Sequence, residues 1–311
     1  MALDVGQLLA EHDGTLRGHV RTHPRLGTLV ERIGPLILTH FGTHCVVDHR
    51  PLDAARSASA GRLVEQVRTS AAARAEPVEW RVYHHDAAAS RLRDALDASG
   101  FTAGRERSVL VGEVVELDLP EPGPGWETAS VRWDEPRARQ ALDLAARTGP
   151  HRVPLAAWHA LRATPYWDVE VRVLSHQGRG TAACWLENLS GTAHAVVGGL
   201  TAARPELLAQ LPLWRFHAPL KRFLVADADG QVRDVLLGSG FREVTTVRSY
   251  HWAPPGRPAE TQPSTPAWAP SATTSNRPSS SSAKSCSRRS RTTWTGSSAA
   301  GAGPSERGGR G

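Results

Sequence analysis

The chain has 311 residues, 40% of them hydrophobic and 22% charged, with a mean hydropathy of -0.35; this is ordinary globular composition for about two domains. No apolar run approaches the ~20 residues of a membrane span, no basic or apolar leader opens the N-terminus, and Cys45, Cys184 and Cys286 form no disulfide framework, so a cytoplasmic protein with free thiols is expected. The formal charge of +6 belongs to the tail: residues 253–311 hold eight basic and two acidic residues, which leaves 1–252 neutral and gives the globular part no electrostatic footprint for nucleic acid.

In chain order, 28–32, 35–39 and 45–48 read as short strands. A helix is predicted over 54–74. Residues 78–83, VEWRVY, alternate apolar and polar as a strand does. A helix follows over 87–99, with Leu92, Ala95 and Leu96 at helical spacing and Gly100 as its stop. Residues 109–115 form the next strand. LDLPEPGPGWE then breaks every regular pattern, so 118–125 reads as a linker between a body at 1–117 and a body at 126–253.

The second body opens with a strand at 128–133 and helices at 135–147 and 154–163. Strands at 169–174 and 181–187 are joined by HQGRG, a hairpin turn. A strand at 193–201, a Pro-led helix at 205–213, a strand at 222–226, a helix at 231–239 and a strand at 243–252 complete the order β-α-α-β-β-β-α-β-α-β. Residues 254–311 are rich in Ser, Pro, Gly and Arg without apolar periodicity, and are predicted to be disordered. Within that tail, SRRSR could contact a nucleic acid or an acidic surface, against which the neutral body argues.

The two bodies echo each other. VEWRVYHHD, a helix, LDASGF and a strand in the first match KRFLVADAD, a helix, LLGSGF and a strand in the second. Glycine takes the left-handed position after each helix and Phe tucks back into the core. A duplicated α/β unit is the economical reading. The order of these segments, with AACWLE and AHAVVGGLT in the second body, resembles the GNAT superfamily of N-acetyltransferases over about 25–252. The likeness is to the actinobacterial kind in which a reduced copy precedes a fuller one.

That resemblance implies a mixed α/β fold, two GNAT-like units in tandem, with sheets splayed at the middle. It also implies acetyl-CoA as co-substrate and a small-molecule or peptide amine as acceptor. The strand segment Val197, Gly198, Gly199, Leu200 and Thr201 is the implied place for the thioester arm, through extended backbone at 198–200. The family's Arg/Gln-x-x-Gly-x-Gly/Ala phosphate loop should follow it. Here Ala202-Ala203-Arg204-Pro205-Glu206-Leu207 lacks those glycines, Pro205 lacks an N–H, and Glu206 adds negative charge. Gln177-Gly178-Arg179-Gly180-Thr181-Ala182 fits the loop pattern by letter, but a strand-like segment follows it, and a turn is the preferred reading.

The family often uses a helical Tyr as acid, four residues before the Gly of the Gly-Phe pair; Leu236 and Leu96 stand there. Tyr250 is the substitute candidate acid, and Glu187, at a strand end, the candidate base. His40, His44, Cys45, Asp48 and His49 include metal-capable side chains, yet their spacing supports no zinc site, and no metal is expected. Two functions stay open: an acetyl-CoA-dependent N-acetyltransferase, and a catalytically inactive GNAT-like binding or regulatory module that does not bind acetyl-CoA.

Overall fold

The computed structural model describes residues 3–17, 29–40, 44–53, 59–118, 122–131, 141, 144, 169–189, 191–211 and 221–256. Eleven strands form one sheet. They are β1 Leu29–Ile33, β2 Leu36–His40, β3 Cys45–His49, β4 Val78–Tyr83, β5 Thr102–Glu113, β6 Trp126–Val131, β7 Val169–His176, β8 Arg179–Asn188, β9 His194–Ala202, β10 Phe223–Ala228 and β11 Arg242–Trp252. Among the described residues, α-helices span α1 Val5–Glu11, α2 Ala60–Ala73, α3 Ala89–Ala98 and α4 Gly230–Gly238.

The strand order is β1-β2-β3-β4-β11-β5-β10-β9-β8-β7-β6. The last strands of the two halves are exchanged. β11 lies beside β4 of the first half, and β5 lies beside β10 of the second. β5 and β11 pair with each other antiparallel down the middle. Each half therefore closes its sheet with a strand from the other.

One face of the sheet carries α2, α3 and α4. There Leu63, Val64 and Val67 of α2 and Leu92 and Leu96 of α3 pack on Leu38, Val47, Trp80 and Tyr250. Leu236 of α4 packs with Leu110, Val197, Leu224 and Ala226. The other face carries α1, whose Leu8 sits among Tyr83, Val109, Val111, Phe223, Val225 and Val247. We call these the helix face and the arm face. Phe101 and Phe241 follow Gly100 (φ 80°) and Gly240 (φ 96°) and are buried, as the two Ser-Gly-Phe endings predict.

Several expectations change. The described part of the helix at 54–74 begins at Ala60. The strand at 109–115 is longer and earlier, Thr102–Glu113. The helix at 205–213 is a 3-10 segment, Pro205–Gln210. The N-terminal arm was not foreseen: α1 continues as a π-helical turn, His12–Leu16. The helices at 135–147 and 154–163 lie outside the described residues except for Ala141 and Leu144, and so does the tail from 257 on. Among the described residues no helix is long and apolar enough to cross a membrane.

Candidate functional site

The two halves share a plan in which two parallel strands pair briefly and then part. β9 and β10 pair from His194–Phe223 to Val197–Ala226. Beyond that, β9 runs on to Ala202 and β10 to Ala228 without pairing. β3 and β4 pair from Cys45–Val78 to Val47–Trp80 and part in the same way. Each parting leaves a notch between strand edges, where a ligand's amides can bond as a missing strand would.

The second notch is built around a bulge. Between the pairs Ala183–Thr201 and Trp185–Gly198, β9 has two residues against one on β8. Gly199 takes φ 61° there, a left-handed value that glycine adopts freely. The backbone at 198–200 is thus kinked, which corrects the extended run expected there. Gly198 has its own reason. The Trp185 indole lies over it, and a Cβ at Gly198 would come within 2.2 Å of the ring. Val197 and Leu200 point into the core of the helix face, and Thr201 is half-buried beside Ala183.

The two candidate catalytic residues are not brought together. Glu187 pairs with Val196, which pairs with Val225, so Glu187 lies on the arm face. Tyr250 pairs with Trp80 and is buried in the helix-face core of the first half, and burial raises its phenol pKa. The two residues sit on opposite faces, four strands apart, about 19 Å at the usual strand spacing. Gln177 (φ 52°) and Gly178 (φ 73°) form the β7–β8 hairpin turn, and β8 follows directly, so this is a turn and not a phosphate loop.

The first notch is closed from within. Arg17, at the end of the arm, donates Nε–H to the backbone carbonyl of His49 at 3.2 Å, two residues past the last β3–β4 pair. Its two terminal nitrogens each reach an Asp86 oxygen at 2.6 Å. Its guanidinium stacks 4.1 Å from the centre of the Tyr83 ring. A donor from the chain itself thus bonds the strand-edge carbonyl past the β3–β4 pairs. Asp13 fixes the arm from its other side: His85 Nε2 bonds its carboxylate at 2.8 Å, and His85 Nδ1 lies 2.7 Å from Thr245 Oγ1. Burial alone would raise the Asp13 carboxyl, but bonds from His12 and His85 and the charge of Arg17 hold it well below the usual carboxylate range.

On the same arm face, Arg81 of β4 bonds Asp227 of β10 at 2.5 Å. Asp227 is the first β10 residue past the last β9 pair, so it stands at the mouth of the second notch. The sheet curls enough for this pair to span the two intervening strands.

The first half also carries a near-match to the phosphate-loop pattern. Arg56-Ser57-Ala58-Ser59-Ala60-Gly61 follows the Arg-x-x-Gly-x-Gly pattern with Ser at the first glycine. Residues 54–58 lie outside the described residues; α2 begins at Ala60, and no acidic residue occupies its first turn.

The His40–His49 group does not converge. His40 bonds Glu76 at 2.6 Å and Glu31 at 3.3 Å, His49 contacts Arg17, and Asp48 lies on the face opposite Cys45 and His49. Among the described residues no three His, Cys, Asp or Glu side chains gather as metal ligands. Burial pushes the thiols of Cys45 and Cys184 up to about 12, which leaves them protonated and inert at neutral pH.

No family model and no curated protein matches the chain by sequence. Solved structures do match. A GCN5-related N-acetyltransferase from Kribbella flavida aligns with TM-score 0.59 over 81% of this chain and 96% of its own, at 16% identity. A conserved protein of unknown function from Staphylococcus epidermidis aligns with TM-score 0.53 over 74% of this chain and 95% of its own, at 10% identity. Similarity at that identity speaks for fold, and it agrees with the repeated strand–helix–strand plan and its splayed parallel pairs. The chain has the GNAT fold, built as two GNAT-like units in tandem.

Proposed function

We propose that this protein binds an acetyl thioester in the notch between β9 and β10 and transfers the acetyl group to an amine, in the cytoplasm. The observation that carries the reading is the parting of β9 and β10 past Val197 and Ala226, with the Gly199 bulge at its rim. In the reaction the amine nitrogen bonds to the acetyl carbonyl carbon and the carbon–sulfur bond breaks. The proton lost by the amine goes to Glu187, directly or through water. The departing thiolate takes a proton from solvent. Glu187 is assigned this role because it shares the arm face with Gly198, one strand away. Tyr250 receives no role, since its side chain is buried on the other face.

The test is a calorimetric titration of the full chain with acetyl thioesters, followed by an amine screen that reads free thiol. Binding is expected in the wild type. Gly199→Val forces a branched side chain to φ 61° and is expected to weaken binding about 10-fold. No heat from any acetyl thioester overturns the proposal. A second reading, a catalytically inactive GNAT-like binding or regulatory module that does not bind acetyl-CoA, is favoured by buried Leu236 at the family's acid position; it predicts no heat with acetyl-CoA and no thiol release for any amine.

A further inference from the structure

We infer that the second half recognises the pantetheine end of its thioester and not the diphosphate or nucleotide of coenzyme A. The inference rests on the reading just given and concerns the substrate class of the same notch.

A diphosphate needs several N–H groups aimed at one point, with positive potential behind them. Among the described residues, the segment after β9 (203–211) offers little of this. The Ala203 N–H is already bonded to Thr181 O at 2.8 Å, and the Leu207 N–H to Arg204 O at 3.1 Å. Pro205 has no N–H. The Pro205–Gln210 segment is 3-10 and only six residues long, so it assembles no aligned helix dipole. Its first turn carries Glu206, which repels a phosphate. Arg204 is exposed and adds one cation, which Glu206 formally cancels. Leu207, Leu208 and Leu211 are buried, so the segment is packed against the core.

The notch itself asks for something different. Past Val197 and Ala226 it presents main-chain strand edges, which suit the two amides of a pantetheine arm. The chemistry selected is an acyl thioester on a pantetheine arm, either free or carried on a phosphate ester.

The experiment titrates the full chain with three probes: acetyl-S-pantetheine, acetyl-4′-phosphopantetheine and acetyl-CoA. Adenosine 3′,5′-diphosphate serves as competitor. The three thioesters are expected to bind within about 3-fold of each other, and the competitor not to displace them. The phosphorylated probe separates the sources: equal affinity with and without its phosphate means the arm alone is read. Glu206→Lys is expected to raise affinity for acetyl-CoA several-fold and leave acetyl-S-pantetheine unchanged, about the effect of reversing one charge beside a phosphate. A preference of about 30-fold or more for acetyl-CoA, or displacement by the competitor, overturns this inference and leaves the acetyl-transfer proposal standing. If no thioester binds, the acetyl-transfer proposal fails first and takes the inference with it.

Discussion

His194 is buried with neither ring nitrogen hydrogen-bonded, and it stacks on Phe223 with ring centres 4.9 Å apart. A buried polar group left this way costs stability, and the ring avoids a larger cost by staying neutral. Burial, with the nearby charges of His12 and Lys221, lowers its pKa from 6.5 to about 4. The sign follows directly. Between those two values the unfolded chain binds a proton that the folded chain refuses, so stability falls as pH falls. The full difference is about 3 kcal/mol, complete near pH 4. Urea unfolding midpoints of the wild type should therefore drop between pH 6.5 and 4.5, and those of His194→Phe should drop less. An equal drop in both places the effect elsewhere. None of this is legible in the sequence, where His194 is one polar letter at the start of a strand. Gly198 shows the same limit from the other side: the glycine is visible, but its reason is an indole on the neighbouring strand. Strand alternation tells which face a residue takes and not which ring it meets there.

At the scale of elements, the sequence carries its strands and its Gly-Phe helix stops well, because both depend on local chemistry. It carries the N-terminal arm less openly. A start signal was present: Asp4 and Gln7 form a reciprocal capping box. What could not be read is that Arg17, sixty-nine residues before Asp86, would fill the first notch. The pair has 0% and 2% side-chain exposure, so removing one partner strands the other charge. Arg17→Ala is expected to destabilise the fold by about 3–5 kcal/mol, while Arg17→Met with Asp86→Leu is expected to recover most of that loss. Thermal or urea unfolding of both variants decides this. If the single variant costs under about 1 kcal/mol, the notch is not held shut by this ion pair.

At the scale of the whole molecule, the duplicated plan was visible as two Ser-Gly-Phe echoes, but the exchange of β5 and β11 was not. Pairing partners in a sheet are set by the free energy of the complete fold, and an alternating strand pattern does not name its neighbour. The exchange has a strict consequence. Without β11, β4 loses the neighbour that bonds it from Val78 to Tyr83. Without β5, β10 loses its antiparallel partner from Phe223 to Ala228. A fragment of residues 1–121 and one of 122–256 should each fail to give a cooperative thermal transition when produced alone. Co-expressed, they should associate and recover it, because all of the β5–β11 contact lies between them. Far-UV circular dichroism with thermal melting, and size exclusion of the mixture, read the result. A cooperative, monomeric first fragment would mean that its sheet closes without the borrowed strand. The exchange would then be an embellishment of two self-sufficient units, and the GNAT fold here would be modular where the strand order makes it a single interlocked sheet.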